Sequence, residues 1–341
     1  MRIITRFTVM ILILLIFLGQ GKEIVSPFSE EQAIYLPDYS NNLQSAIDSS
    51  VLIYASNGDN SDRKIGAGVV WKQEGDASYI LTCAHLFENA QNNHIQVFPF
   101  KSKHMIQGKE ATLVGISNTF DIAVLKCKWK NPSLIKTLSA KDAKVAMPVF
   151  AFGNPNGKGA SVSAGILSVP YEKVEGQFMH RIDCTLMPGN SGGGVFSSNG
   201  EIVGLIVSKV VTNKDLEGYG YAVPYVVADA IAKSILSLET NQPPIIPQFD
   251  FSYRVVYQNT SNGDIWEEEI AIDKVSSFLP LSVGDRVKAI TINEQYHRIT
   301  SEGEFASLLF TAMPHSTVFL TVKHYDEERT VQIRVGESIL K

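Results

Sequence analysis

From Ser50 to Pro224 the apolar residues come in short bursts, not at helical spacing. The runs VLIYA (51–55), GAGVVWK (66–72), SYILTCAHLF (78–87), HIQVFPF (94–100), ATLVGI (111–116), DIAVLKCKW (121–129), PVFAFG (148–153), EIVGLIVSKVV (201–211) and GYGYAVP (218–224) are bounded by Gly, Asn and Asp turns such as NGDN and SNGE. Many short strands with little helix predict a β-barrel or sandwich. The period changes at PYVVADAIAKSILSL (224–238), where Val227, Ile231, Ile235 and Leu238 share one helical face and Pro224 suits a first turn. ETNQPPIIPQ (239–248) follows as a proline-rich connector, suited to neither strand nor helix. The last stretch, 249–341, returns to strands (YRVVY, EIAIDKV, RVKAITIN, TVFLTVKHY, TVQIRV) around one helical segment, Glu302–Ala312, and predicts a small α+β second domain.

The chain start has a different pattern. Arg2 and Arg6 precede an unbroken apolar run, Phe7–Gly19, shorter than a membrane-spanning helix and of signal-peptide length. Residues 1–21 therefore predict an export signal, or a retained N-terminal anchor, and 22–45 a polar lead-in carrying Phe28, Tyr35 and Tyr39. The β-rich region would then span 46–238. Either form of the N-terminus places the folded part outside the cytoplasm. The three cysteines, Cys83, Cys127 and Cys184, lie in apolar strand-like runs and read as buried small hydrophobes, and no CxxC spacing suggests zinc.

At 341 residues, 45% hydrophobic and 19% charged, the chain has room for about two globular domains. A net charge of −5 with no long basic run argues against a nucleic-acid partner.

Three residues carry candidate chemistry. His85 closes YILTCAH, so a strand delivers it to a strand end. Asp121 opens DIAVLKC, where a partly buried carboxylate needs a hydrogen-bond partner such as an imidazole N–H. Ser191 sits in MPGNSGGGVF (187–196), between turns. A serine hydroxyl becomes a nucleophile only with a base, a group orienting that base, and donors for the oxyanion. Gly189 permits a backbone that aims N–H groups at one point, so Gly189, Asn190 and Ser191 are the candidate oxyanion donors. The order His85, Asp121, Ser191 is that of a chymotrypsin-type triad. His94, His104, His180, His297, His315 and His324 read as surface or structural residues.

With these residues in view the chain resembles the HtrA/Deg serine proteases, a branch of the chymotrypsin-like fold. TCAHLF, DIAVLK, GNPNGKGASVSAGILS (153–168), IDCTLMPGNSGGGVFSSNGEIVGLIV (182–207) and GYGYAVP are similar to that family's motifs over roughly 45–238. The sequence departs at Cys83, where the family commonly has Asn or Ala, and at Gly194, where Pro is usual. SSFLPLSVGDRVKAITINEQ (276–295) and EGEFASLLF (302–310) resemble a PDZ domain and its groove helix. The resemblance implies a mainly β, chymotrypsin-like double barrel followed by a PDZ-like domain. It also implies an endopeptidase for unfolded or damaged exported proteins in the periplasm or cell envelope, a trimer-based homo-oligomer, and no cofactor or metal. Glu267, Glu268 and Glu269, near the expected peptide-carboxylate site, would repel a peptide C-terminus, leaving strand addition at the sheet edge as the alternative.

Asn190 stands where digestive members of the fold carry an aspartate that pairs with a freshly cut N-terminal amine. An amide cannot form that ion pair, so the resemblance implies ordering of the oxyanion hole by loops instead. By the same resemblance Thr185, Leu186, Ile206, Tyr219 and Tyr221 line the specificity pocket. None is a carboxylate, which favours a small or medium apolar residue on the acyl side of the cut bond. Two rivals remain: a catalytically silent scaffold or chaperone acting through the PDZ-like domain, and an ester hydrolase built on GNSGG. The latter fold places its acid and histidine after the serine, and no suitable histidine follows Ser191 in the first domain.

Overall fold

A computed structural model describes residues 39, 41–56, 63–87, 94–101, 108–130, 133, 135–139, 142–174, 177–207, 219–237, 245–259 and 266–339. These belong to one compact unit, Tyr39–Lys341. The expected export segment, Phe28 and Tyr35 lie outside the described residues. Among the described residues no helix is long and apolar enough to cross a membrane.

The first barrel is built from β1 (Ser50–Ser56), β2 (Arg63–Glu74), β3 (Ala77–Thr82), β4 (His94–Pro99), β5 (Lys109–Ser117) and β6 (Ile122–Cys127). They close in the order β1-β2-β3-β6-β5-β4, with β4 returning to β1, all antiparallel. Closure leaves no open edge. Val51, Leu52, Ile53, Val69, Ile80, Leu81, Val124 and Leu125 are buried in one core cluster on the two faces of these strands. The short helix α1 (Gln44–Ser49) precedes β1 and buries Ala46, and the Tyr39 ring packs at a tilt against Phe150, 5.1 Å between centroids. The expected lead-in therefore ends inside an ordered helix, and Tyr39 packs within the chain.

The second barrel uses β7 (Lys136–Thr137), β8 (Pro148–Gly153), β9 (Ser161–Val174), β10 (Gln177–Ile182), β11 (Gly194–Ser197), β12 (Glu201–Val207) and β13 (Gly220–Pro224). Their order is β11-β8-β9-β10-β13-β12-β7, and a further β11–β12 pairing closes six of the strands into a ring. Its core holds Val149, Leu167, Ile182, Val195, Val203 and Ile206. Helix α2 (Tyr225–Ser237) follows directly and returns to the first barrel, burying Val227, Ile231 and Ile235 of the predicted face, whose fourth position, Leu238, lies outside the described residues. Trp71 Nε1 donates to Asp229 on α2 at 2.8 Å.

The C-terminal part has strands β14 (Ile245–Gln248), β15 (Phe251–Asn259), β16 (Trp266–Val275), β17 (Arg286–Ile292), β18 (Gln295–Arg298), β19 (Thr317–His324), β20 (Glu327–Arg334) and β21 (Gly336–Ile339), with helix α3 (Glu302–Phe310). The main sheet runs β15-β16-β17-β19-β20, with β18 on β17. The connector reading fails at its end: Ile245–Gln248 pairs antiparallel with Gly336–Ile339. A two-stranded ribbon has open edges on both sides, where the missing N–H of Pro247 breaks no central ladder. Helix α3 starts at a cap in which Ser301 Oγ accepts the Glu304 N–H, while Glu304 accepts from Thr300 N and Oγ1.

Candidate active site

The two barrels supply opposite halves of the site. Strand β3 ends at Thr82, whose hydroxyl donates to the Ala67 carbonyl at 2.7 Å. The 3₁₀ turn Ala84–Phe87 then swings His85 out of the barrel. Asp121 sits at the turn before β6 with a left-handed φ of +53°. That is an uncommon conformation for a residue other than glycine and one associated with functional sites. The turn is tied down by the Ala84 N–H donating to the Asp121 carbonyl at 3.2 Å.

The Asp121 side chain grips His85 twice. Oδ1 accepts the His85 backbone N–H at 2.9 Å, and Oδ2 lies 2.8 Å from Nδ1. Asp121 is only 4% exposed, so its charge requires these partners. A carboxylate only accepts, so Nδ1 carries the proton and Nε2 keeps its lone pair as a base.

Ser191 is 3% exposed and lies on the loop between β10 and β11. Three contacts fix that loop. The Ser191 carbonyl accepts from Ala67 N at 2.9 Å, Gly192 N donates to the Ile206 carbonyl at 2.8 Å, and Ile206 N donates to Gly193 at 2.8 Å. A Cβ at Gly192 would overlap the Thr82 hydroxyl and approach Cys83 N to 2.9 Å. The Ser191 loop thus lies directly against residues 82–83, the lead into the His85 turn.

The orientation of the candidate oxyanion donors follows from the carbonyls around them. In a trans peptide the C=O and N–H point in opposite directions. The Pro188 carbonyl is engaged by Asn156 N at 2.7 Å, and the Asn190 carbonyl by Gly193 N at 3.0 Å. The N–H groups of Gly189 and Ser191 therefore face away from those partners. Asn190 is different: its N–H donates to Met187 O at 3.0 Å, so it is not a free donor, which corrects the three-donor expectation. Gly189, at φ +100°, also lends its carbonyl to Asn154 N at 3.1 Å. The loop 154–156 thus braces 188–189, a role for GNPNG that residue types alone do not signal. Asn190 is buried, its side chain lying over Gly153.

The predicted pocket residues separate into groups. Leu186 packs on the second-barrel core that includes Ile206, and its Cδ1 fills the space a Cβ at Gly220 would need. Tyr221 is buried, opposite Val207 and Arg181 in the ladders. Tyr219 is 50% exposed with the Arg181 guanidinium 5.0 Å from its ring centre. Thr185 is exposed, and its carbonyl accepts from Ser163 Oγ at 2.9 Å. Arg181, paired with Glu172 at 3.2 Å, was not singled out by sequence because neither residue belongs to a motif.

Cys83, His85 and Asp121 place ligand-type atoms within 4.8 Å of one another. In this arrangement a proton occupies the short Nδ1–Oδ2 contact, and burial together with the Asp121 charge keeps the Cys83 thiol well above its ordinary range. All three cysteines are free and buried.

A closed pair of six-stranded barrels with His and Asp from one and Ser from the other defines a trypsin-like serine peptidase. A family profile described as "Trypsin-like peptidase domain" matches residues 66–205. The chain is 31% identical over 270 residues to the serine endoprotease DegS of Haemophilus influenzae, covering 76% of this chain and 73% of that one. It is 27% identical over 319 residues to the serine protease Do-like HtrA of Bacillus subtilis, covering 87% and 69%. Among solved structures it shares its fold with the HtrA-type protease AlgW bound to a tripeptide (TM-score 0.57, 22% identity, 89% of this chain and 99% of that one). The chain belongs to the HtrA/DegS family of serine proteases.

Proposed function

We propose that this protein cuts internal peptide bonds of unfolded polypeptides through an acyl-enzyme on Ser191. The observation that carries the reading is the double grip of Asp121 on His85, which leaves Nε2 as the free base. His85 takes the Ser191 proton as the hydroxyl attacks the peptide carbonyl. The N–H groups of Gly189 and Ser191 hold the oxyanion. His85 then protonates the departing amine, and water releases the acyl group. Leu186, Ile206 and Gly220 favour a small apolar residue beside the cut, a preference of modest strength because apolar pockets discriminate weakly.

The further reading is an exported protein of the cell envelope, working as a trimer-based assembly, with the C-terminal part a PDZ-like domain that binds peptide. Two glutamates of the 267–269 run have internal tasks. Glu268 accepts the Glu302 N–H at the start of α3, and Glu269 pairs with Lys288 and with Arg286. The Glu269 charge is thereby offset by Lys288 and Arg286.

The test is digestion of a permanently unfolded protein and of the same protein folded, by the purified enzyme and by Ser191→Ala. Cleavage of the unfolded form alone, abolished in the variant, is the expected result. Equal digestion by Ser191→Ala would refute the serine mechanism, and no digestion by either would favour the scaffold reading.

A further inference from the structure

We propose that Met187 is a modification site: a peroxide converts its thioether to the sulfoxide, and the change slows the Ser191 chemistry by shifting Asn156, the residue that holds the oxyanion peptide. This rests on the assignment of Ser191 as nucleophile and of the Gly189 N–H as an oxyanion donor, and adds a regulation of that same site.

Asn156 is the hub of the contact. Its backbone N–H donates to the Pro188 carbonyl at 2.7 Å. That carbonyl and the Gly189 N–H belong to one peptide unit, which is planar and stiff. A shift of Asn156 therefore turns the Gly189 N–H. The Asn156 side chain reaches the start of the same turn, where its Nδ2 donates to Met187 Sδ at 3.7 Å. Met187 also ties the turn together, since its carbonyl accepts the Asn190 N–H at 3.0 Å. One asparagine thus touches the oxyanion peptide with its backbone and a thioether with its side chain.

Met187 is 45% exposed, so a small oxidant reaches it. The three cysteines are buried and free, and burial holds their thiols above the ordinary range, which leaves little reactive thiolate to compete. The step balances with hydrogen peroxide as the oxidant. A sulfur lone pair attacks one peroxide oxygen, and the S–O bond forms as the O–O bond breaks. The departing hydroxide takes the proton of the transferred oxygen and leaves as water. Sulfur is oxidised and the peroxide reduced.

The consequence follows from the change in acceptor. A thioether sulfur accepts weakly, whereas the sulfoxide is polar and carries its own oxygen. The Asn156 amide then bonds that oxygen rather than the sulfur, so Asn156 shifts relative to Met187. The Pro188 carbonyl follows the Asn156 N–H, and the oxyanion donor at the other end of that peptide is misplaced.

The experiment exposes the full chain, Met187→Leu and Met313→Leu to hydrogen peroxide, locates the added oxygen by peptide mass spectrometry, and measures kcat and KM before and after. Met313, 58% exposed beyond the end of α3, is the control sulfur. The parent and Met313→Leu are expected to gain oxygen at Met187 and to lose kcat about tenfold with KM unchanged, because a donor is misplaced rather than removed. Met187→Leu is expected to keep its own starting kcat although Met313 is oxidised. In the parent the Asn156 side-chain amide signal is expected to move in the NMR spectrum, a readout that needs no turnover. Met187 left unoxidised while Met313 reacts, an unmoved Asn156 signal, or an equal loss of kcat in Met187→Leu overturns the proposal. Cleavage that survives in Ser191→Ala overturns the serine mechanism instead, before any oxidant is added.

Discussion

Asp121 is held in a left-handed backbone conformation, buried, with both carboxylate oxygens committed to His85. Replacing it with asparagine keeps the shape but offers an N–H where an acceptor is needed, which turns the imidazole to the wrong tautomer. Asp121→Asn is expected to lower kcat by about four orders of magnitude, read with a peptide substrate. Gly189→Ala places a Cβ against the Asn154 carbonyl at a φ of +100°. The oxyanion turn must move, and kcat is expected to fall about a hundredfold or more. His180 makes a different prediction. It is fully buried in β10, its Nδ1 accepts the Tyr171 N–H at 3.4 Å, and burial lowers its pKa from 6.5 to about 3. The unfolded chain takes up a proton that the native state refuses. Stability is therefore untouched above pH 6.5 and declines from there toward pH 3, by about 1.4 kcal/mol per pH unit within that window. The gap in urea midpoint between the parent and His180→Gln should narrow by that slope on acidification, and a constant gap would show that His180 protonates freely in the native state.

The elements themselves show which signals sequence carries. The barrel strands could be read because their apolar bursts end in sharp Gly, Asn and Asp turns, and helix α2 because Val227, Ile231 and Ile235 repeat at helical spacing. Strand β10 hid because QFMHRI mixes polar and apolar residues, its His180 and Ile182 facing the interior while Gln177 to Met179 and Arg181 remain partly exposed. Strands β14 and β21 hid because each is stable only through the other, across a long separation in the chain. At the site, His85, Asp121 and Ser191 stood out by motif and order. The spent N–H of Asn190 did not, since hydrogen-bond direction is a property of the folded turn. Nor did the brace from 154–156, for the same reason. The bracing predicts an order among elements: lengthening the 154–159 turn by one glycine should reduce kcat strongly and leave the cooperative unfolding of the first barrel in place, as followed by hydrogen exchange in β1–β6.

Across the whole molecule, helix α3 leans on both barrels. Phe310 meets Phe120, the neighbour of Asp121, edge-on at 5.4 Å, and Gly303 leaves no room for a side chain against Tyr171. Lys173 and Glu302 approach to 3.5 Å, but the lysine is well exposed. The aromatic contact should dominate. Phe310→Ala is expected to destabilise the protein by about 1–3 kcal/mol and to lower activity through Phe120. Lys173→Ala should change stability by less than about 1 kcal/mol. Melting curves and kcat measured on both variants separate these contributions, and the reverse ranking would mean that charge, not packing, couples the C-terminal part to the acid.

The most direct test of the account is to react the protein with a fluorophosphonate and locate the adduct by peptide mass spectrometry. The account predicts a single modified residue, Ser191, with labelling slowed in His85→Ala and in Asp121→Asn. An adduct elsewhere, or labelling of Ser191 that is indifferent to His85, would contradict it.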